Sequence, residues 1–546
     1  MTDADAATDA YEYPLLIKQL LHTPLAIAPD QELVYADRRR YDYRTFWQRL
    51  ERLASGLASL GVTEGSTVAV MDWDSHRYLE CFFAVPMMGA VLHTINIRLA
   101  PEQILYTVNH AEDDFILVHV DFLPLLSQFR DRIERPVKII LLRDDDVTPE
   151  TTLDIESEYE QLVNSAAPQF EFPEFDERTR ATTFYTTGTT GDPKGVYYSH
   201  RQLVLHTMGV MGGLGAASHH GRLHMDDVYM PITPMFHVHA WGIPYVATLM
   251  GLKQVYPGRY TPETLLQLIQ RERVTFSHCV PTILHMLLSS PLANEVDLSG
   301  WKVVIGGSAL PKGLAQLAIE RGIDLFSGYG MSETCPFVSV AHLQPEHLTR
   351  NADEQLAIRC MTGRPAPMVE LRVVDDDMRD VNHNGTDTGE VVVRAPWLTQ
   401  GYRKNPEGSE QLWKGGYLHT GDIGHIDAAG YLQITDRLKD VIKSGGEWIS
   451  SLRLEDIASQ HPGVAEVAAI GVADERWGER PMLLVVRDAA STPDIDEDDI
   501  RNHVRQFAER GEISNWAVPN RVEFVDAIAK TSVGKLDKKK LRQQYG

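Results

Sequence analysis

Residues 186–195 have the sequence Thr186-Thr187-Gly188-Thr189-Thr190-Gly191-Asp192-Pro193-Lys194-Gly195. A short apolar run at 181–185 precedes this stretch, and a helical pattern begins at His200. Glycine lets the backbone approach a ligand closely, and successive amides and hydroxyls in such a loop can surround phosphate oxygens. The order strand, Gly/Thr loop and helix therefore predicts a site for a nucleotide or another polyphosphate.

The spacing of the glycines excludes a Walker loop. That loop needs four residues between its glycines and then Gly-Lys-Ser/Thr at the start of a helix. Here Gly188 and Gly191 are three positions apart, and Gly195 follows Lys194. A Gly/Thr-rich surface turn is the alternative interpretation of the stretch taken alone. Motifs elsewhere in the chain are needed to choose between a phosphate-binding loop and a surface turn.

Strand and helix patterns alternate on both sides of this loop. The first series has strands at 67–71, 91–95 and 115–120 and helices at 77–88 and 101–110. The second has strands at 228–233, 274–280, 303–305 and 323–326, with helices at 262–271, at 281–289 and from Leu314. Such alternation predicts two doubly wound parallel sheets, with a ligand crevice at their strand ends. The acidic segment 144–178 is interpreted as a surface connection.

The predicted pattern of secondary structure changes after about residue 370. Strands at 370–374 and 391–394 flank turn residues, which predicts a small antiparallel β unit. From residue 440 a compact α+β pattern follows, with helices at 452–459 and 497–510 and strands at 464–472 and 482–486. We predict an N-terminal domain at 1–436 and a mobile α+β C-terminal domain at 437–546.

The composition of this 546-residue chain limits the classes of partner that it is expected to bind. Its formal charge of −24 disfavours nucleic acid and anionic membrane surfaces, which would repel it. Four scattered cysteines provide no disulfide or zinc framework, and no stretch is long and apolar enough for membrane insertion. We therefore expect a cytoplasmic protein that binds small molecules. An association into a homodimer is left open.

Four further motifs follow the loop along the chain. Each joins a strand pattern or a turn to residue types that suit nucleotide chemistry. Taken alone, the second could be a Gly-rich turn with a surface glutamate, the third a plain turn and the fourth a solvated surface segment. The motifs are Gly306-Gly307-Ser308-Ala309, Phe326-Ser327-Gly328-Tyr329-Gly330-Met331-Ser332-Glu333, Tyr417-Leu418-His419-Thr420-Gly421-Asp422 and Lys530-Thr531-Ser532-Val533-Gly534-Lys535.

The loop and these motifs, in this order, closely resemble the adenylate-forming family of acyl-CoA synthetases, aryl-CoA ligases, luciferases and peptide-synthetase adenylation domains. The resemblance implies that ATP and Mg²⁺ bind in the crevice. Tyr329 would stack on adenine, Asp422 and Arg437 would contact the ribose, and Ser332 would contact the α-phosphate. Glu333 would hold Mg²⁺, a metal that prefers carboxylate ligands. The implied nucleotide and metal contacts also include Thr186, Thr187, Gly188, Thr189, Thr190, Lys194, Gly307, Ser327 and Gly328, with Thr187 beside the metal.

The same resemblance implies two half-reactions at one site. Lys535 would be the catalytic lysine of adenylation, and Lys439 matches the hinge about which the C-terminal domain rotates. After rotation, a segment lining the path of coenzyme A would replace Lys535; its implied residues are Lys443, Gly445, Gly446 and Trp448. The neighbouring Lys538, Lys539 and Lys540 are interpreted as surface residues or as attractants for the phosphates of coenzyme A.

The acid substrate is indicated by Pro234-Met235-Phe236-His237-Val238-His239-Ala240-Trp241, which resembles the acyl-pocket border of fatty acyl-CoA synthetases. His237 would lie beside the carboxylate, Trp241 would gate a tunnel, and Gly307 and Ser308 would line the pocket. A core aromatic cluster is the alternative. We predict a medium- or long-chain fatty acid–CoA ligase. An aryl- or short-chain-acid ligase, including one for methylthio acids, and a non-catalytic nucleotide-binding regulator remain alternatives.

Overall fold

The structure is a computed structural model. The residues that it describes are 11–145, 147, 149–186, 192–217, 221–444, 447–474, 476–488, 495–530 and 536–546. For Lys443, Glu447 and Trp448 only the backbone is described.

The strands of the first half of the chain come in the following order. They are β1 (Glu32–Tyr35), β2 (Arg39–Asp42), β3 (Thr67–Met71), β4 (Val91–Thr94), β5 (Phe115–His119), β6 (Lys138–Leu142), β7 (Ile155–Glu158), β8 (Arg180–Thr186), β9 (Lys194–Ser199), β10 (Val228–Pro231), β11 (Lys253–Tyr256) and β12 (Phe276–Cys279).

The remaining strands are β13 (Lys302–Ile305), β14 (Asp324–Gly330), β15 (Phe337–Val340), β16 (Arg364–Pro365), β17 (Glu370–Val374), β18 (Gly389–Arg394), β19 (Trp413–Lys414), β20 (Tyr417–Ile426), β21 (Leu432–Arg437), β22 (Ile442–Ser444), β23 (Glu447–Ile449), β24 (Val464–Asp474), β25 (Gly478–Arg487) and β26 (Arg521–Phe524).

The helices of the two α/β halves are α1 (His22–Ile27), α2 (Tyr43–Ser59), α3 (His76–Met87), α4 (Pro101–Ala111), α5 (Leu123–Ser127), α6 (Tyr159–Ser165), α7 (His200–Gly215), α8 (Val238–Trp241), α9 (Ile243–Leu249), α10 (Pro262–Glu272), α11 (Pro281–Ser289), α12 (Lys312–Glu320) and α13 (Ala352–Arg359). Those that follow are α14 (Pro406–Leu412), α15 (Ser451–Ser459), α16 (Glu497–Glu509) and α17 (Lys538–Tyr545).

Two large sheets carry the crevice. The first has the strand order β7-β6-β5-β3-β4-β8-β9 and is parallel except between β8 and β9. The second has the order β16-β15-β14-β13-β12-β10-β11-β1-β2, and its central strands, from β14 to β1, are parallel. These sheets confirm the predicted pair of doubly wound α/β units. Strands β1 and β2 come from the start of the chain yet complete the second sheet, which sequence patterns did not indicate.

Helix α3 joins the two halves, and all twelve of its residues are buried. The ring of Phe82 stacks on Tyr245 of α9, with centroids 5.5 Å apart. The Tyr245 hydroxyl also donates to the carbonyl of Phe82 at 3.2 Å. Because one helix packs against elements of both halves, the strand ends of the two sheets are held close to each other.

Two smaller sheets follow. Strands β17-β18-β20-β19, with β21 on β20, form the antiparallel unit predicted from the turn residues. Strands β23-β22-β25-β24, with β26 parallel to β25, form the sheet of the C-terminal α+β region. Two hydrophobic clusters of that region contain only residues from 442 onward. The clusters support the predicted boundary at 436/437, which stays a prediction.

The sequence interpretation of segment 144–178 was wrong. Segment 144–178 is not a plain surface connection, since it contains β7, which extends the first sheet, and α6. Tyr159 of α6 is fully buried and its hydroxyl donates to Glu80 at 2.6 Å. The acidic residues of this segment suggested a solvent-exposed connection, but they have structural partners. Glu158 caps α6 by accepting hydrogen bonds from its first-turn amides, and Glu160 forms an ion pair with Arg49.

Candidate active site

The Gly/Thr loop connects two antiparallel strands. Thr186 at the end of β8 pairs with Lys194 at the start of β9. Helix α7 begins only after β9, and Ser199 caps it by accepting from the Gln202 amide at 3.3 Å. The predicted helical start at His200 agrees with the structure, but the intervening strand β9 was not predicted. The predicted contacts of Thr187, Gly188, Thr189 and Thr190 lie outside the described residues.

Glu333 lies in a short 3₁₀ turn after β14 and is buried. Its carboxylate accepts a 2.6 Å hydrogen bond from the hydroxyl of Tyr402. The Nζ atom of Lys194 lies 4.7 Å from the centre of the same tyrosine ring, a cation–π contact. Tyr402 therefore contacts both Lys194, at the end of the Gly/Thr loop, and Glu333, the predicted metal ligand. Ser332 is fixed beside them, since its carbonyl accepts from Tyr198 of β9 at 2.5 Å.

Tyr402 was missed by the sequence analysis. It lies far along the chain from Glu333, and no local spacing relates the two. The backbone explains why they meet: the Thr399 amide donates to the Glu333 carbonyl, and the Arg403 amide donates to the carbonyl of Gly195 at 2.8 Å. Segment 399–403 is thus bound to both motifs.

The residues predicted to contact ribose and adenine are linked to one another through Asp422. Antiparallel register places Asp422 of β20 opposite Arg437 of β21, and Arg437 Nε lies 3.2 Å from Asp422 Oδ1. The Tyr329 hydroxyl donates to Asp422 Oδ2 at 2.6 Å. Burial and the charge of Asp422 raise the pKa of Tyr329 well above its usual value, which keeps this hydroxyl a donor. Asp422 is itself buried, so its carboxylate oxygens are held in a fixed orientation with little access to water.

Glycines permit close backbone approach in this region. A Cβ on Gly330 would lie 1.4 Å from the carbonyl oxygen of Pro336. A Cβ on Gly306 would lie 2.9 Å from the Gly328 oxygen and 3.0 Å from the Trp241 ring. The next residue, Gly307, has φ +82°, which favours glycine. A side chain at Gly306 would therefore push apart the backbone at Gly328 and the ring of Trp241, and one at Gly330 would collide with the backbone at Pro336.

Ser327, Gly328 and Ser308 take different positions around this backbone. Ser327 is buried, and its hydroxyl has no hydrogen-bond partner among the described residues. Gly328 is half-buried and Ser308 is exposed. An orphaned buried hydroxyl beside the adenine motif is consistent with a role toward a ligand, which stays a prediction for all three residues.

The predicted acyl-pocket border reaches the same glycines. Trp241 packs on His278 with ring centroids 5.0 Å apart, and His278 forms a 2.8 Å hydrogen bond with Tyr229. Residues 238–241 all have positive φ, between 48° and 60°, an unusual left-handed turn. His237 is half-buried at its start. The ring of Trp241 therefore lies against the backbone at Gly306, on the same half of the protein.

Helix α11 does not help to define the acid. Its apolar set consists of Ile283, Leu284, Met286 and Leu287. Leu284 and Leu287 are fully buried in the core of the second sheet, so they do not face a substrate. Only Ile283 and Met286 of the apolar set are partly accessible. The apolar pattern is accounted for by packing.

The C-terminal site residues are only partly described. Lys535, Gly445 and Gly446 lie outside the described residues. The backbones of Lys443 and Trp448 pair across β22 and β23, but nothing is described of their side chains. Lys439 is exposed just after Arg437.

Lys538 corrects the interpretation of the basic C-terminal run. Only 6% of this residue is exposed. Its Nζ donates to Ser451 Oγ at 2.6 Å and lies 2.8 Å from Glu455. Ser451 in turn donates from both its amide and its hydroxyl to Asp436. The prediction of a surface lysine was wrong because a helical position facing α15 offers a buried carboxylate as partner.

The sequence of the chain matches known protein families over most of its length. The signature described as AMP-binding enzyme matches residues 23–403, and the one described as AMP-binding enzyme C-terminal domain matches residues 453–535. The chain belongs to the AMP-binding enzyme family. This membership confirms the predicted adenylate-forming family.

Two relatives extend across nearly the whole length of this AMP-binding enzyme. It is 40% identical to a long-chain-fatty-acid–CoA ligase of Thermus thermophilus, covering 93% of this chain and 90% of the relative. It is 38% identical to a 3-methylmercaptopropionyl-CoA ligase of Ruegeria pomeroyi, covering 90% of each. The prediction of an AMP-forming acid–thiol ligase is confirmed at the level of the reaction class.

A solved structure agrees in fold. The crystal structure of an anthranilate CoA ligase in complex with anthranoyl-AMP superposes with a TM-score of 0.84 at 24% identity, covering 97% of this AMP-binding enzyme and 98% of that chain. At this identity the likeness bears on the fold alone. Within the residues that the structure describes, none of the helices has the length and apolar character needed to cross a membrane.

Proposed function

We propose that the chain joins a medium- or long-chain fatty acid to coenzyme A through an acyl-adenylate, with release of AMP and pyrophosphate. The observation that carries the proposal is the convergence of two sets of residues on one crevice. Tyr329, Asp422 and Arg437 form a hydrogen-bonded group that would bind the nucleotide. Trp241 packs against Gly306 and His278 and would border the acyl group.

In the first half-reaction, a carboxylate oxygen of the acid attacks the α-phosphorus of ATP. A new P–O bond forms, and the bond to the leaving pyrophosphate breaks. Asp422 would accept hydrogen bonds from the ribose hydroxyls, while Tyr329 would lie against adenine. These contacts hold the α-phosphate in line with the acid, which reduces the entropic part of the barrier. His237, at the start of the pocket border, would contact the carboxylate.

The residues at the phosphate end fit a magnesium ion. Glu333 provides a buried carboxylate already oriented by Tyr402, and Mg²⁺ commonly takes one or two carboxylates together with substrate phosphates. Glu333, with Thr187, would hold the ion, whose charge would offset that of the phosphates when bound. Lys194 would add a second cation there, and Lys535 would stabilise the charge that develops as pyrophosphate leaves.

In the second half-reaction, the thiol sulfur of coenzyme A attacks the acyl carbon. A C–S bond forms, AMP leaves with the former carboxylate oxygen, and the thiol proton passes to solvent. We propose that rotation about Lys439 exchanges Lys535 for the segment 443–448 between the two steps. Lys439 is an exposed residue two positions after the end of β21, at the start of the C-terminal region.

One alternative acid has a specific observation in its favour. The Ruegeria pomeroyi relative named as a 3-methylmercaptopropionyl-CoA ligase is nearly as similar to the chain as the long-chain ligase is. A short methylthio acid therefore stays the second candidate. A cytoplasmic location and a homodimeric state also remain predictions.

A substrate panel tests the proposal. The purified chain would be incubated with ATP, Mg²⁺, coenzyme A and one acid at a time: linear acids from acetate to palmitate, 3-methylmercaptopropionate, and benzoate. We expect kcat/KM for thioester formation to rise with aliphatic length and to reach its highest value in the medium- to long-chain range. A maximum at 3-methylmercaptopropionate would favour the second candidate, and a maximum at benzoate would contradict both.

A further inference from the structure

Two residues of the first sheet hold a peptide that belongs to the second half. Asp74 follows β3, Thr94 ends β4, and both are buried. Asp74 Oδ1 accepts from the Met235 amide at 2.7 Å. Thr94 Oγ1 donates to the Phe236 carbonyl at 3.0 Å. These two contacts lie immediately before His237, the first residue of the acyl-pocket border.

Sheet topology makes this arrangement possible. Strands β3 and β4 are parallel neighbours, with Val70 opposite Thr94, so residues after their carboxyl ends lie at one edge of the sheet. Asp74 is itself fixed, because its carbonyl accepts from the Gly258 amide of the second half at 2.8 Å. Burial raises the pKa of Asp74 to about 7, while the Met235 amide and the charge of Arg98 oppose that rise. An acceptor oxygen is present in either protonation state.

The segment after the held peptide is strained. Val238, His239, Ala240 and Trp241 have φ values of 48°, 54°, 48° and 60°. Left-handed conformations are unfavourable for residues with a Cβ, and several in succession persist only where the surroundings impose them. A turn of this kind depends on its entry point being fixed.

Aromatic rings of the first half restrain the same turn. His239 is fully buried, with ring centroids 5.6 Å from Phe82 and 5.2 Å from Phe184. The first half therefore holds the strained turn at its entry, through Asp74 and Thr94, and within it, through the rings of Phe82 and Phe184. Trp241 at its end is placed accordingly.

We propose that Asp74 and Thr94 are positioning residues for the acid substrate, which fix segment 237–241 through the Met235–Phe236 peptide and so set which acids the pocket accepts. This inference rests on the proposed function, because it takes 237–241 as the border of the acyl pocket. Neither residue is assigned a contact with the nucleotide. Their removal is therefore expected to affect the acid and ATP differently.

Paired variants test the inference. Asp74→Ala and Thr94→Val remove the acceptor and the donor, whereas Asp74→Asn and Thr94→Ser retain an acceptor oxygen and a hydroxyl. Thr107→Val is the matched control, since Thr107 is a buried threonine whose hydroxyl donates to a backbone carbonyl, that of Ile104, at 2.8 Å within α4. KM for the acid, KM for ATP and relative kcat/KM across chain lengths would be measured, with thermal unfolding as a check on the fold.

We expect the first two variants to raise KM for the acid about tenfold, the scale of one lost buried hydrogen bond, and to alter the chain-length profile. KM for ATP should stay within about twofold, and the Asn and Ser variants should be close to wild type, because they keep the bonds. The inference is overturned if acid KM and profile match those of Thr107→Val, or if ATP KM rises equally. A wild-type chain that forms no thioester with any acid would overturn the proposed function as well.

Discussion

The hydroxyl of Tyr402 donates a 2.6 Å hydrogen bond to Oε1 of Glu333, and its ring lies 4.7 Å from Nζ of Lys194. One side chain thus contacts the carboxylate proposed to hold magnesium and the lysine proposed to bind phosphate. The geometry suggests that Tyr402 orients the metal–phosphate end of the site before the substrate binds.

Replacing Tyr402 with phenylalanine should weaken binding of Mg²⁺–ATP. We expect the dissociation constant to rise about tenfold, since the variant keeps the ring beside Lys194 but frees the Glu333 carboxylate. Isothermal titration of the nucleotide at several Mg²⁺ concentrations measures this effect. Tyr41→Phe is the control, because Tyr41 makes a 2.6 Å bond of the same kind to Glu80 away from the site. Equal affinities of both variants would argue against the role of Tyr402.

Replacing Trp241 with alanine should change the chain-length preference. The indole packs on His278 and against the backbone at Gly306, so its removal is expected to open space at the proposed acyl end of the crevice. We expect relative kcat/KM to shift toward bulkier or longer acids by about tenfold, the scale of a few methylene contacts. The control is Trp47→Ala, a half-buried tryptophan that packs on Phe172 in the first half. An unchanged profile would contradict the gate assignment.

Replacing Lys535 with alanine should separate the two half-reactions. Loss of a cation that stabilises the departing pyrophosphate is expected to slow adenylation by about 100- to 1000-fold. Thioester formation from supplied acyl-adenylate should be largely retained, because another segment serves that step. Rapid-quench assays of each step provide the comparison, with Lys540→Ala at an exposed position as control. Equal loss in both steps would refute this division.

Buried histidines should make the fold sensitive to acid. Burial lowers the pKa of His200, His206, His239 and His278 to about 3. An unfolded histidine has a pKa near 6.5. Between about pH 6.5 and 3 the unfolded chain therefore binds protons that the native chain does not, and the free energy of unfolding falls as pH falls, by about 1.4 kcal/mol per pH unit for each histidine.

The variant His239→Leu tests the predicted fall of the free energy of unfolding with falling pH. Both ring nitrogens of His239 lack a hydrogen-bond partner among the described residues, and its neighbours are aromatic rings, so an apolar replacement is tolerable. The variant should lower the slope of unfolding free energy against pH by about one proton between pH 6 and 5. Denaturant titrations at several pH values measure the slope. His383→Leu, at an exposed position, should leave it unchanged; an equal effect of both variants would contradict the account.

Much of the fold follows from local patterns. Strand β3 and helix α11 match the predicted ranges 67–71 and 281–289, because an apolar period and proline at a helix start are local signals. Strand β9 was missed: residues 194–199 follow the glycine- and threonine-rich sequence, and their pairing with β8 is fixed by the sheet and not by composition. Lys538 was misjudged for a similar reason, since a buried carboxylate partner is supplied by another helix.

The candidate site was predictable where residues lie in short motifs. Tyr329, Glu333, Asp422 and Arg437 were each selected from such motifs, and the structure brings Tyr329, Asp422 and Arg437 into direct contact. Tyr402, Asp74 and Thr94 could not be found in this way. Their partners lie on other elements, and only the tertiary fold relates Asp74 to Met235 or Tyr402 to Glu333.

The central claim is that the acid is activated as an acyl-adenylate, and an oxygen-transfer measurement tests it most directly. The chain would be given ATP, Mg²⁺, coenzyme A and a long-chain fatty acid labelled with ¹⁸O in both carboxylate oxygens, and the nucleotide product would be analysed by mass spectrometry. The account predicts AMP that carries one ¹⁸O atom, with the other retained in the thioester. Unlabelled AMP, or ADP as the nucleotide product, would contradict it.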